Sequence, residues 1–278
     1  MKNLCSVVAV LLLLHVFPAH SQSAVKDAVR LQYAPDKQNV INLYLPKAYT
    51  EATPVVILLH GGGWMHGSLE DLTKTARDLS SRGFIVANTD YRYVNDSVHC
   101  REVLADVDKA ITFVQKSSKQ YHFKNDGYHL AGISAGAHLA LLYGYTSLKG
   151  IKSITALCPV TQLDDADLLA GAKKMNLIKN VELLANATYA EGKIPSPKFT
   201  TVSPYAHVKN VPTLLFHGDN DNYVPYTQSA FLYEVLKQKK VPSKFVTLQG
   251  QGHSCGMDEP DKEKQILDEI VRWVEMYN

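Results

Sequence analysis

Several things are scarce in this chain, and each scarcity removes a class of protein. Beyond the first 21 residues no apolar run is long enough to span a bilayer, so no further membrane span is expected. Neither sign of charge is in excess: 29 Lys and Arg face 27 Asp and Glu, and the basic residues are dispersed, which gives no footprint for nucleic acid. Cysteine is limited to Cys5, Cys100, Cys158 and Cys255, and no pair of these has the spacing of a metal site. Internal repeats and low-complexity linkers are missing, which excludes solenoids and arrays.

The N-terminus has the pattern of an export signal. Lys2 supplies a positive start, the stretch 7–17 is apolar apart from His15, and Ala19 and Ser21 are the small residues before a cleavage at Gln22. Residues 1–21 are read as a signal peptide and 22–278 as one domain, with a secreted or periplasmic location. The apolar run is too short to anchor stably, so no membrane association is expected after cleavage. Three cysteines would remain in the exported chain, enough for one disulfide and one free thiol. The spacing leaves open which pair is bonded.

The rest of the chain alternates between two periods. Stretches 29–33 and 40–45 have apolar residues near alternate positions, as in an opening hairpin with one wet face. Continuous apolar runs at 55–59, 84–88, 151–160 and 213–216 read as strands buried on both faces, with a last strand at 244–248. Between them, 70–81, 98–117, 135–145, 226–239 and 261–277 carry helical patterns; in 98–117, Val103, Val107, Ala110, Ile111 and Val114 recur at helical spacing. Such alternation builds an α/β fold, a mostly parallel central sheet with helices on both faces. One long interruption, 161–211, holds short helical patches and proline turns. An excursion of this length is usually functional, and it reads as a small cap insertion. Its apolar residues Leu163, Leu168, Leu169, Leu177, Ile178, Leu183 and Leu184 are candidates to wall a short acyl pocket.

Four pieces fall at the C-terminal ends of the expected parallel strands, the edge where open α/β sheets place their ligands. The first is Gly132-Ile133-Ser134-Ala135-Gly136, between a short strand-like segment and an Ala/Leu-rich helix. A serine on such a turn sits on a strained backbone and needs glycine neighbours. A serine hydroxyl is also a poor nucleophile near neutral pH without an adjacent base. The second piece, His253 in Gly250-Gln251-Gly252-His253-Ser254, supplies that base type, with an unperturbed pKa near ~6.5. The third is a carboxylate from His217-Gly218-Asp219-Asn220-Asp221, needed to orient and charge-balance the imidazole. Asp221 lies deeper in that loop and is the candidate acid, with Asp219 read as capping the turn. The fourth, His60-Gly61-Gly62-Gly63-Trp64, can present bare backbone N–H groups. Those of Gly62, Gly63 and Ala135 are the candidate oxyanion hole. A phosphate loop is the competing reading of these glycines, but the Gly-Lys-Ser/Thr ending is missing. Metal and cofactor are not called for.

With these residues in order Ser134, Asp221, His253, the chain resembles the α/β-hydrolase superfamily over nearly all of 22–278. Within it, the chain is similar to the hormone-sensitive-lipase-like and feruloyl-esterase-like carboxylesterases with a His-Gly-Gly-Gly-Trp loop. The resemblance implies Ser134 as nucleophile, Asp221 as acid, His253 as base, and Gly62, Gly63 and Ala135 as oxyanion donors. It also implies a structural role for Asp90-Tyr91-Arg92. No large helical lid precedes the glycine loop, unlike in the lipase-like members. The expected reaction is hydrolysis of short-chain or sugar-linked acyl esters through an acyl-enzyme, with a small-molecule ester as substrate and the oligomeric state left open. An arylformamidase-type amidase and a prolyl-oligopeptidase-like peptidase are the rival enzymes. The third alternative is a non-catalytic binding protein on the same fold.

Overall fold

The computed structural model describes residues 28–278, so the signal-peptide reading lies outside the described residues. Its centre is an eight-stranded sheet in the order β1-β2-β4-β3-β5-β6-β7-β8. The opening hairpin forms as expected: β1 (Val29–Gln32) pairs antiparallel with β2 (Val40–Tyr44), and β2 pairs antiparallel with β4 (Ile85–Thr89). From β4 onward all pairs are parallel, through β3 (Val55–Leu59), β5 (Tyr128–Ile133), β6 (Ile151–Leu157), β7 (Thr213–Gly218) and β8 (Ser243–Leu248).

The burial explains the unbroken apolar runs. All five residues of β3 are buried because helices cover both sheet faces. On one face α1 (Thr73–Ser81) and α8 (Pro260–Met276) pack Ala76, Leu79, Ile266, Ile270 and Trp273 against Val56, Leu58, Leu214 and Phe216. The other face carries α2 (Cys100–Tyr121), α3 (Ala135–Thr146) and α7 (Thr227–Gln238). Helix α3 is buried from Ala135 to Tyr145, which is why its sequence is apolar all round rather than striped.

Several boundaries moved: β6 ends at Leu157 rather than at 160, and two helices differ more. The segment expected as one helix over 70–81 splits into a 3₁₀ turn, Leu69–Leu72, and α1. Helix α2 runs on to Tyr121 and stops where His122 takes a left-handed conformation (φ 55°). The excursion 161–211 folds into α4 (Ala166–Lys174), α5 (Ile178–Ala185) and α6 (Pro197–Thr201). Side-chain caps start two of these: Asp165 accepts from the N–H groups of Asp167 and Leu168, and Ser196 from that of Lys198. Among the described residues no helix is long and apolar enough to cross a membrane.

Five neighbouring parallel strands, β3, β5, β6, β7 and β8, end on the same edge. Their next residues are, in turn, the glycine loop, Ser134, Cys158, the aspartate loop and the His253 loop.

Candidate active site

Ser134 caps α3 with φ 54° and ψ −118°, a backbone state that costs a non-glycine residue on the order of 1–3 kcal/mol. Its N–H is held by the Leu157 carbonyl at 2.8 Å. The turn is tight enough that a Cβ at Gly136 would lie 2.2 Å from the Leu59 carbonyl oxygen, so glycine is required there. Trp64, Cys158 and Cys255 also have positive φ. Four of the eight non-glycine residues with positive φ among the described residues thus lie at this edge.

The three side chains singled out from the sequence meet. His253 Nε2 lies 2.9 Å from Ser134 Oγ, and its Nδ1 lies 2.7 Å from Asp221 Oδ2. A carboxylate only accepts, so Nδ1 carries the proton and Nε2 is free to accept from the serine hydroxyl. Asp221 Oδ1 accepts from the N–H groups of Tyr223 at 2.8 Å and Val224 at 2.9 Å, and the Asp221 side chain is wholly buried. Burial by itself would raise its pKa. Hydrogen bonds from His217 and His253 outweigh that and hold the carboxyl well below the usual range. Asp219 turns away and accepts the Gly250 N–H at 2.6 Å, so it ties the turn after β8, the capping role expected of it.

The glycine loop lies against this set. A Cβ built on Gly61 would be 3.4 Å from Ser134 Cβ, and Gly61, Gly62 and Gly63 line the same cavity as Ser134, Ala135 and His253. Gly62, at φ 107°, passes so close to the His66 carbonyl that a Cβ would sit 2.1 Å from its oxygen. The Asp90-Tyr91-Arg92 segment supports the loop from behind. Tyr91 donates to the His60 carbonyl at 2.7 Å and stacks on the His60 ring at 4.3 Å. Asp90 accepts from Leu69 N–H, while burial pushes its pKa up to about 6. Arg92 is bidentate on buried Asp106. Trp64 is 3% exposed and donates to His138 Nδ1 at 3.2 Å, so it is a core residue whose edge reaches the cavity.

Some of the site was invisible in the sequence. Asn180 of α5 donates to the Gly63 carbonyl at 3.0 Å and fastens the cap to the glycine loop. Exposed Tyr223 lies against the His253 ring at 5.5 Å. Cys158 and Cys255 form a disulfide that ties the tip of β6 to the His253 loop, and buried Cys100 is free. Long-range contacts place all of these, and no local pattern marks them.

The cavity has a volume of about 680 Å³. Its lining comes from both sheet faces: Leu168, Ala172, Met175, Leu177 and Val181 from the cap, and Leu72, Thr75, Leu79, Met257 and Ile270 from the α1/α8 side. The expected pocket wall therefore needs correcting. Leu168 and Leu177 line the cavity, whereas Leu163, Leu169, Leu183 and Leu184 are buried in the core and Ile178 packs against it. They face the core rather than the cavity and close its apolar layer. Cys158, His217 and Asp221 are the one group of potential metal ligands clustered among the described residues. The Cys158 sulfur is spent in the disulfide and Asp221 is filled with N–H donors, so the set does not fit a resident ion.

Residues 41–236 match the BD-FAE family, well over half of the chain. The chain belongs to the BD-FAE family. This is a family of α/β-hydrolase esterases. Among curated relatives, a probable isoprenylcysteine alpha-carbonyl methylesterase of Oryza sativa subsp. japonica is 27% identical over 235 residues, 80% of this chain and 56% of that protein. Esterase LipC of Mycobacterium tuberculosis is 25% identical over 243 residues, 81% of this chain and 59% of that one. The BD-FAE chain thus spans less than two thirds of the length of these relatives. An inhibited esterase B from Lactobacillus rhamnosis superposes with a TM-score of 0.76 at 23% identity, over 93% of this chain and 89% of that one. A butyrate-bound Thermogutta terrifontis esterase superposes at 0.70 with 21% identity, over 90% and 94%. These two likenesses establish the α/β-hydrolase fold.

Proposed function

We propose that this BD-FAE chain is a serine carboxylesterase that works through an acyl-enzyme. The observation that carries the reading is the unbroken set of contacts from Asp221 to His253 to Ser134 at the mouth of the cavity. Ser134 attacks the ester carbonyl while His253 Nε2 takes its proton. Asp221, already anionic, stabilises the imidazolium that forms and keeps Nδ1 protonated. The N–H groups of Gly62, Gly63 and Ala135 receive the developing oxyanion. His253 then protonates the leaving alcohol. Water, activated by the same imidazole, releases the acid and restores the serine.

The substrate is a small ester with a short-chain or sugar-linked acyl group. Cap residues Leu168, Ala172 and Leu177 wall an apolar space near Ser134. Each methylene buried there contributes about 0.8 kcal/mol, roughly fourfold in binding, until the space is filled. A butyrate-bound neighbour with this fold accords with that size. A second reading, hydrolysis of a methyl ester on a larger apolar acid, is favoured by the apolar lining of the α1/α8 side and by the methylesterase relatives. Export of the mature chain is part of the proposal. Two fully buried cysteines joined in a disulfide are at home in an oxidising compartment, which supports it.

Two experiments test this. Ser134→Ala removes nearly all turnover with the fold intact, a loss on the order of 10⁴ to 10⁶ in kcat, and a fluorophosphonate labels Ser134 alone. Retention of a tenth of the activity would overturn the assignment. A nitrophenyl ester series should peak in kcat/KM at acetyl to butyryl and fall by octanoyl. A rise through dodecanoyl would favour the second reading.

A further inference from the structure

We infer that His217, at the end of β7, is a positioning residue for the carboxylate that orients His253. The inference rests on the roles proposed above for Asp221 and His253. His217 is fully buried and approaches the same carboxylate oxygen of Asp221, Oδ2, that His253 contacts. Its Nδ1 is 2.7 Å from Ser229 Oγ on α7. Its Nε2 is 3.0 Å from the Val224 carbonyl oxygen and 3.3 Å from Asp221 Oδ2.

These partners fix the donor at Nε2. A carbonyl can only accept, so Nε2 carries a hydrogen. Nδ1 meets the Ser229 hydroxyl, which can donate or accept there. That single Nε2–H is shared between Val224 O and Asp221 Oδ2. Val224 in turn donates its own N–H to Asp221 Oδ1 at 2.9 Å. His217, Val224 and Asp221 thus form a closed set that clamps the loop after β7 while supplying Oδ2 with a second donor beside His253 Nδ1.

The titratable groups facing His217 are Asp221 and, edge-on at 5.8 Å, Tyr226; the nearby Cys158 sulfur is in its disulfide. Among the described residues, the titratable side chains in contact with Asp221 are His217 and His253. Removing the His217 donor therefore has two consequences. The loop loses its clamp, and the carboxylate concentrates its charge on His253. The second effect stabilises the imidazolium and raises the pH at which His253 gives up its proton. A residue that merely filled space would produce neither shift.

The test compares His217→Met, which fills the volume without a donor, with His217→Gln, whose Nε2 amide reaches the same place with an N–H. Asp221→Asn serves as the reference for the underlying reading. With near-UV circular dichroism unchanged, H217M should lower kcat by about 10- to 100-fold, the range usual for removing a hydrogen-bonded partner behind an active group. KM should stay within about twofold, and the acid limb of kcat/KM should move up by about half a pH unit or more, a stronger imidazolium–carboxylate interaction. H217Q should recover most of kcat and return the limb. A folded H217M with unchanged kcat and limb overturns the inference, and so does H217Q as impaired as H217M. Full activity in D221N would instead sink the reading of Asp221 itself. Should H217M fail to fold, His217→Asn takes its place: its shorter amide can meet Ser229 in the position of Nδ1 but offers no donor at Nε2, so a lower kcat and a shifted limb support the inference, and an unchanged folded enzyme overturns it.

Discussion

The disulfide between Cys158 and Cys255 can be removed with a calculable cost. The two residues are 97 apart in sequence. In the chain-entropy account, a closed loop of this length removes about 4.7 kcal/mol of freedom from the unfolded ensemble. Both residues are fully buried, and alanine at each loses only a sulfur from the apolar layer. The double variant Cys158→Ala/Cys255→Ala should thus be less stable by about 3–5 kcal/mol, allowing for measured values below the ideal. At about 2–4 °C per kcal/mol for a domain of this size, the midpoint should fall by roughly 6–20 °C. Urea unfolding with linear extrapolation and a thermal scan would measure both, with dithiothreitol-treated wild type as a second route to the same state. On the proposed roles of Ser134 and His253, activity should also depend on this bond. Cys255 is two residues from His253, and Cys158 follows Leu157, whose carbonyl holds the Ser134 N–H at 2.8 Å. The bond therefore joins the segment behind Ser134 to the segment carrying His253. Well below its lowered midpoint, the double variant should lose kcat more than it changes KM. A variant that melts within about 3 °C of wild type and keeps its kcat would refute the reasoning, since a tether of this span is expected to contribute far more.

Asp221→Asn should cost about 10⁴ in kcat, because an amide presents the wrong partner to His253 Nδ1, while Asp219→Asn should lose only the Gly250 contact; steady-state kinetics of the pair decide, and a worse D219N would exchange the roles. Burial lowers the pKa of His129 and of His138 to about 4. The unfolded chain takes up these protons near pH ~6.5 and the native chain resists until about 4, so stability is full above that window and is lost as pH falls through it, by up to about 3 kcal/mol per histidine. Denaturation at pH 7 and 4.5 should show the loss, and His129→Gln should reduce it; equal losses would refute the assignment. Cys100 is buried with its thiol pushed up to about 12, so a thiol reagent should find it unreactive in the native chain and reactive once unfolded without reductant.

Local pattern determined a great deal here. The apolar runs specify strands buried on both faces because a two-sided environment tolerates no polar alternation, and 55–59 and 213–216 fall in β3 and β7 as expected. Glycine placement marks the sharp turns, since the approach of Gly136 to Leu59 admits no side chain. The order of strands along the chain puts Ser134, Asp221 and His253 on one sheet edge, because right-handed parallel connections bring every strand's end to the same side. Tertiary structure decided what depends on contacts far apart in sequence. Nothing local distinguishes Cys158 from Cys100 as the partner of Cys255; the β6 tip lying beside the His253 loop does. Nothing local says that Asn180 reaches the Gly63 carbonyl, or which cap leucines face the cavity, because helical spacing gives a face but not what the face meets. His217 read from sequence as only the end of a strand. Its importance comes from Asp221, Val224 and Ser229 converging on one buried ring, a set of hydrogen bonds that exists only once the loop after β7 and helix α7 have folded against each other.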